Sequence, residues 1–156
     1  MKDTKHTPRG GFWVVGQFVL MAVIVVAGQL TDGHFTKGVL TMSSAVLLGL
    51  GAVVFGWRGF VNLGRNLTAF PKPLDDGELV TTGVYAIVRH PIYTSVLSGC
   101  VGYVLWSGSW FAAIMTLVLC VWFEYKSRAE ERFLHAKFPA YAAYARTTKK
   151  FIPYMY

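Results

Sequence analysis

Residues 91–123 read PIYTSVLSGCVGYVLWSGSWFAAIMTLVLCVWF, two uncharged apolar runs parted only by Ser107-Gly108-Ser109. A three-residue break containing glycine predicts a tight antiparallel helical hairpin. The runs cover 91–106 and 110–123, each shorter than the roughly 20 residues that cross a bilayer as helix. The second is expected to continue beyond lipid as one helix. Residues 124–138 are good helix formers, and no breaker precedes Pro139.

Two further runs lie upstream, 12–30 and 39–57, both free of charge. The expectation is therefore an all-α polytopic membrane protein with about four transmembrane helices. Its C-terminal hairpin extends into a cytosolic region, with a loop over 58–90 and a tail over 124–156. The whole of 1–156 is read as a single domain. Composition agrees, since 54% of residues are hydrophobic and 15% charged, against about 25% charged in soluble domains. A cleaved leader is disfavoured because the run after Lys2, Lys5 and Arg9 exceeds the usual apolar core of such leaders.

The net charge of +7 would suit a nucleic-acid partner, but its distribution points elsewhere. Three Lys and Arg precede the first run, four lie in 58–90 and seven in 124–156, while Lys37 alone falls in the intervening loops. By the positive-inside rule both termini and the long loop are cytoplasmic. The basic surplus then reflects topology and attraction to membrane lipids, and no nucleic acid is required. The membrane would be the inner membrane of a bacterium or the endoplasmic reticulum of a eukaryote.

Small residues recur four apart at Ala45/Gly49, Ala52/Gly56, Ser95/Gly99 and Ser98/Gly102, spacing that lets helix backbones approach closely in lipid. Gly49-Leu50-Gly51 lies within an apolar run without a preceding strand, so a dinucleotide fingerprint is rejected. Cys100 and Cys120 are isolated within apolar runs and read as small hydrophobes. No Cys–Cys or Cys–His ligand spacing occurs, and no metal site is expected. His6 and His34 lie in polar segments, and only His90 and His135 border apolar ones. The loop before residue 84 is rich in turn formers yet carries Leu67, Phe70, Leu74, Leu79, Val80 and Val84. It is expected to fold back onto the membrane face and cover something.

Arg89-His90-Pro91 opens the hairpin, with Pro91 suited to the first helical position. A helix start exposes unpaired N–H groups and attracts anions, assisted here by Arg89. Counting from Gly108 back to Pro91 gives roughly 26 Å of helix, and out to Glu130 roughly 33 Å, at 1.5 Å per residue. Arg89 and His90 can therefore meet Glu130 or Glu131 at one cytoplasmic face. Spacing alone leaves two readings open, a membrane-surface anchor with solvated ion pairs or one wall of a site.

The order G-x-Y-x-x-x-R-H-P-x-Y over 83–93, then Glu130-Glu131, then F-P-x-Y-x-x-Y over 138–144, is specific. It resembles the isoprenylcysteine carboxyl methyltransferase family and the wider group containing phospholipid N-methyltransferases. The likeness extends from Asn62 to Pro153, and the first two runs match only as generic spans. It implies an integral membrane enzyme that uses S-adenosylmethionine without a Rossmann domain. Leu79, Val80 and Tyr85 would line the adenosyl pocket, joined by His90, Pro91, Ile92 and Tyr93. Glu130 would bind the cofactor's polar end. Arg89, Lys126 and Glu131 are the catalytic candidates. Lys126 stands where the isoprenylcysteine enzymes carry arginine, and lysine lacks the planar fork that clamps a carboxylate.

A carboxylate acceptor would need a cationic clamp and no base. An amine acceptor would need proton removal, for which Glu131, His90 or Tyr93 could serve. The acceptor is expected to be lipophilic, a small molecule or a lipid. Its polar group and the oligomeric state have no signature in the sequence. The alternatives are an NADPH-dependent reductase of the sterol or steroid type, a non-catalytic membrane subunit, and a transporter. Transport is disfavoured because no run holds an internal charge.

Overall fold

A computed structural model describes residues 10–31, 35 and 37–155. Lys2, Lys5, His6, Arg9 and His34 lie outside the described residues. The described residues form five α-helices: α1 Gly11–Leu30, α2 Val39–Leu63, α3 Pro91–Ser107, α4 Trp110–Lys137 and α5 Tyr141–Thr147. By length and apolar composition, three of them can cross a membrane, namely α1, α2 (with the turn that follows it) and α4. Helix α3, at 17 residues, is shorter than these, and α5 has only 7. Large apolar side chains stand exposed along α1, α2 and α4, among them Val15, Leu47, Val53 and Leu117. Such a belt is stable only against lipid, and the protein is an integral membrane protein.

The chain turns between α3 and α4 at Gly108-Ser109. Gly108 adopts the left-handed conformation at φ 76°, and its N–H bonds the Val104 carbonyl at 2.8 Å. Ser109 caps α4 by accepting from the Ala112 N–H at 3.2 Å. The buried Ser109 hydroxyl also lies 2.8 Å from that of Thr31, which ties the turn to the end of α1. The α4 helix then runs unbroken to Lys137.

Helix α2 packs along α3, and α1 along α4. The small residues lie in these seams. A Cβ on Gly102 would come 3.0 Å from the Ala45 carbonyl oxygen, and one on Gly56 would meet the Ser95 hydroxyl at 2.6 Å. Ser95 donates across the seam to the Ala52 carbonyl at 2.7 Å. Ile24, Ala27, Val104, Ala112, Leu119 and Phe123 form the core, which Phe151 of the C-terminal tail joins.

Two features differ from the sequence expectation. Helix α2 does not stop at Trp57 but continues to Leu63, with Arg58 inside it. Nothing breaks the helix until Gly64, at φ 51°, so the charge marks the edge of the apolar stretch rather than the helix end. The connecting loop accordingly starts beyond 63, not at 58. The second difference is the tail, which runs beside the start of α3. Arg89 and His90 donate their backbone N–H groups to the carbonyls of Lys149 and Lys150 at 2.8 and 3.2 Å. The Thr94 hydroxyl donates to the Phe151 carbonyl at 2.8 Å.

Candidate active site

Successive helical residues are rotated by about 100°, so the adjacent acids on α4 face different ways. Glu130 accepts from the Tyr93 hydroxyl at 2.8 Å. Glu131 lies 3.0 Å from both Arg89 Nε and His90 Nε2 through a single oxygen. A carboxylate can only accept, so Nε2 carries the proton there. The other ring nitrogen, Nδ1, is 3.7 Å from Glu130. His90 thus bridges both acids from the cap position of α3, with Pro91 as the first helical residue.

Arg89 is held further from behind. Its guanidinium donates to the Ala145 carbonyl at 3.0 Å and to the Thr148 carbonyl. Burial pushes the Glu131 carboxyl up, but the hydrogen bond from His90 and the charge of Arg89 outweigh it and hold the pKa at about 2. Burial, with the nearby Glu130 charge, pushes the Tyr85 hydroxyl well above its ordinary value. The Tyr144 hydroxyl, raised by burial too, donates to the Tyr85 carbonyl at 2.6 Å.

The Tyr93 ring is stacked between His90 and Phe123, with centroids 5.2 and 4.6 Å away and planes within 6° of parallel. Over its edge of the site sits Lys126, one turn before Glu130 on the same face of α4. Its ammonium lies 5.1 Å from the Tyr93 centroid and donates to the Gln17 side-chain carbonyl at 2.5 Å. Lys126 is only 1% exposed. No carboxylate pairs with it within salt-bridge distance among the described residues. A separate cluster, Glu124 with Arg128 at 2.6 Å and Lys150 at 2.9 Å, ties the tail to α4.

These groups border a cavity of about 470 Å³, within the roughly 300–1,000 Å³ typical of small-molecule sites. Of the residues singled out from sequence, Leu79, Val80, Tyr85, Arg89, His90, Ile92, Tyr93, Lys126 and Glu130 line it. Pro91 and Glu131 do not. Pro91 is buried as the helix start, and Glu131 stands behind Arg89 and His90. The loop does cover the cavity, through Leu67, Phe70 and Leu74. It is pinned by Lys137, which donates to the carbonyls of Leu74 and of Asp75, the latter at 3.1 Å.

Sequence reasoning missed Gln17, Phe18 and Met21 of α1, which also line the cavity. The available signal was Gln17, a polar side chain in the middle of an apolar run. It also assigned no role to Tyr141 and Tyr144, although their spacing places both on one face of α5. Among the described residues, no group of three His, Cys, Asp or Glu could hold a metal ion.

The phospholipid methyltransferase family profile matches residues 40–140. Two bacterial proteins are similar over 96% of this chain. The nickel-cobalt-cadmium resistance protein NccN of Alcaligenes xylosoxydans xylosoxydans is 34% identical. The cobalt-zinc-cadmium resistance protein CzcN of Cupriavidus metallidurans is 29% identical. The chain spans 66% and 65% of their lengths. In fold it is similar to a eukaryotic intramembrane Ras methyltransferase, the isoprenylcysteine carboxyl methyltransferase. The TM-score is 0.66 at 21% identity, over 96% of this chain and 54% of that one.

Proposed function

The chain belongs to the phospholipid methyltransferase family, and from that premise we propose that it transfers a methyl group from S-adenosylmethionine to a lipophilic acceptor at the cytosolic face of the membrane. The observation that carries this reading is a cavity that joins two unlike sets of groups. Arg89, His90, Tyr93 and Glu130 line it together with Gln17, Phe18 and Met21 of α1. Phe18 is 57% exposed on the belt that faces lipid. A charged cofactor entering from the cytosol and an apolar acceptor entering from the bilayer would meet between them.

The donor set fits the cofactor. Bound there, S-adenosylmethionine supplies an electrophilic methyl group on a positive sulfur. Leu79, Val80 and Tyr85 enclose an apolar, aromatic compartment suited to the adenosyl group. Glu130 offers a carboxylate to a cationic end, and Tyr93 fixes that carboxylate's direction by its hydrogen bond. His90 and Ile92 shape the wall at the uncapped start of α3. Pro91 sets that start without contributing a donor. Methyl transfer is an in-line displacement, so holding donor and acceptor at the right distance contributes much of the rate.

Arg89 and Glu131 act on this site through His90. Their ion pair, with the tail carbonyls, keeps the imidazole directed at both acids, and Glu131 serves as a positioning group. Lys126 is the group placed to meet the acceptor's polar head, because it borders the cavity and Gln17 occupies only one of its three donors. The positive-inside pattern supports cytoplasmic termini.

Equilibrium binding by the purified, detergent-solubilised protein tests the reading. Saturable affinity for S-adenosylhomocysteine, and none for NADPH, is expected. Saturation by NADPH alone would favour the reductase alternative and refute the proposal.

A further inference from the structure

Gln17 interrupts the apolar sequence of α1, about 9 Å in from Gly11. A primary amide among apolar neighbours costs free energy unless its donors and acceptor are met. Here only the acceptor is met, since Oε1 takes a hydrogen bond from the Lys126 ammonium at 2.5 Å. Lysine has donors alone, so the amide cannot be turned round. Its oxygen faces Lys126 and its NH2 group points elsewhere. Neither N–H of that group has a partner among the described residues.

The amide nitrogen is also open. Among the described residues, every buried side-chain nitrogen and oxygen has a partner except the Tyr141 hydroxyl. The unpartnered Nε2 of Gln17 is therefore not sealed inside the protein, and Gln17 lines the cavity of about 470 Å³.

The neighbours say what kind of group suits it. Lys126 contributes a positive charge with no carboxylate within salt-bridge distance among the described residues. Glu130, one turn further along α4, is already engaged by the Tyr93 hydroxyl at 2.8 Å. An amine arriving at Gln17 would meet donors and a like charge, whereas an anionic oxygen would meet complementary ones. Phe18 and Met21 line the same cavity, and Phe18 is more than half exposed. Beyond Lys126, α4 carries Arg128, Glu130, Glu131 and Arg132. The Gln17–Lys126 pair thus stands where apolar surface gives way to charge, the level of an amphiphile's head.

On the methyltransferase reading above, the ligand of that form is the acceptor. We propose that Gln17 is a specificity-determining residue of the acceptor site. Its amide N–H groups, oriented by Lys126, bind an anionic oxygen, of a carboxylate or a phosphate, on the acceptor's head. The acceptor's apolar chain lies beside Phe18 and Met21.

The test is equilibrium binding of octanoate, octyl phosphate and octylamine to the full chain in an uncharged detergent, with protein-free micelles as blank. The wild type should bind at least one of the anions about tenfold more tightly than octylamine. Which anion binds tells carboxylate from phosphate. Gln17→Glu keeps an oxygen on Lys126 and removes the amide donors. Anion affinity should fall about tenfold, as loss of a hydrogen bond to a charged group does, while the melting temperature holds. Gln17→Met removes the donors without adding charge. It should also weaken the anion severalfold and leave octylamine and S-adenosylhomocysteine affinities unchanged. Equal binding of octylamine and the anions by the wild type would overturn the proposal, as would binding of none of the three. Unchanged anion affinity in Gln17→Met would overturn it too, since the loss in Gln17→Glu would then be charge repulsion alone. So would a matching loss of S-adenosylhomocysteine affinity in Gln17→Met, which marks a purely structural role. A wild type that fails to bind S-adenosylhomocysteine refutes the methyltransferase reading, an outcome separate from the amphiphile selectivity that reads Gln17 directly.

Discussion

Glu131→Gln is the most informative substitution in the ion-pair cluster, because it keeps the side chain's shape and removes its charge. One Glu131 oxygen lies 3.0 Å from both Arg89 Nε and His90 Nε2, with all three side chains largely buried. Bonds to a charged partner contribute about 1.5–3 kcal/mol each, and neutral ones about 1 kcal/mol. Arg89 and His90 would still find an amide oxygen, so the net loss is about 1–3 kcal/mol over the two bonds. In a chain of this length that corresponds to a melting temperature lower by roughly 3–10 °C, read by thermal unfolding in detergent. Affinity for S-adenosylhomocysteine should fall alongside, since His90 is no longer held toward Glu130. An unchanged melting temperature would refute the idea of a structural lock. Loss of turnover with stability and cofactor affinity both intact would refute the positioning role, and would place Glu131 in the chemistry.

Other consequences follow from the same geometry. Lys126→Met removes a buried cation that has no carboxylate within salt-bridge distance among the described residues, so thermal stability should hold or rise. The kcat/KM for the acceptor should fall by about tenfold or more, and cofactor affinity should change little. Gly102→Leu would drive a side chain into the Ala45 carbonyl, where even a Cβ sits at 3.0 Å. Size-exclusion chromatography should show aggregation as α2 and α3 part. Acid should destabilise the fold through Glu131, whose carboxyl is held at about 2 against 4.5 for an ordinary glutamate. A depressed folded-state pKa stabilises fully above 4.5 and ceases to do so as pH falls through about 2. The melting temperature should therefore decline progressively between those values, and less steeply in Glu131→Gln.

Much of this arrangement was legible from local rules. The Ser107-Gly108-Ser109 break specifies the hairpin because glycine takes the left-handed turn and serine caps the next helix. Helix rise alone brings Arg89 and His90 level with Glu130 and Glu131, which is a matter of counting. What could not be counted was pairing between distant segments. Gln17 meets Lys126 across 109 positions, and nothing local to either residue encodes that contact. The tail that grips Arg89 and His90 does so through backbone carbonyls, which carry no side-chain signature. Arg58 gave a false boundary for α2, because a charge reports the edge of lipid and not the end of a helix. Tyr141 went unassigned because an unpaired hydroxyl is visible only once every neighbour is in place.

The central claim is methyl transfer at the membrane face. Its most direct measurement is incubation of the purified protein with S-adenosylmethionine labelled in the methyl group and a total lipid extract, followed by mass spectrometry of the lipid phase. The account predicts label in a lipid-soluble product, dependent on protein and abolished by Glu130→Gln. Protein that binds the cofactor yet leaves the lipid phase unlabelled, with label appearing only in water-soluble products, would contradict it.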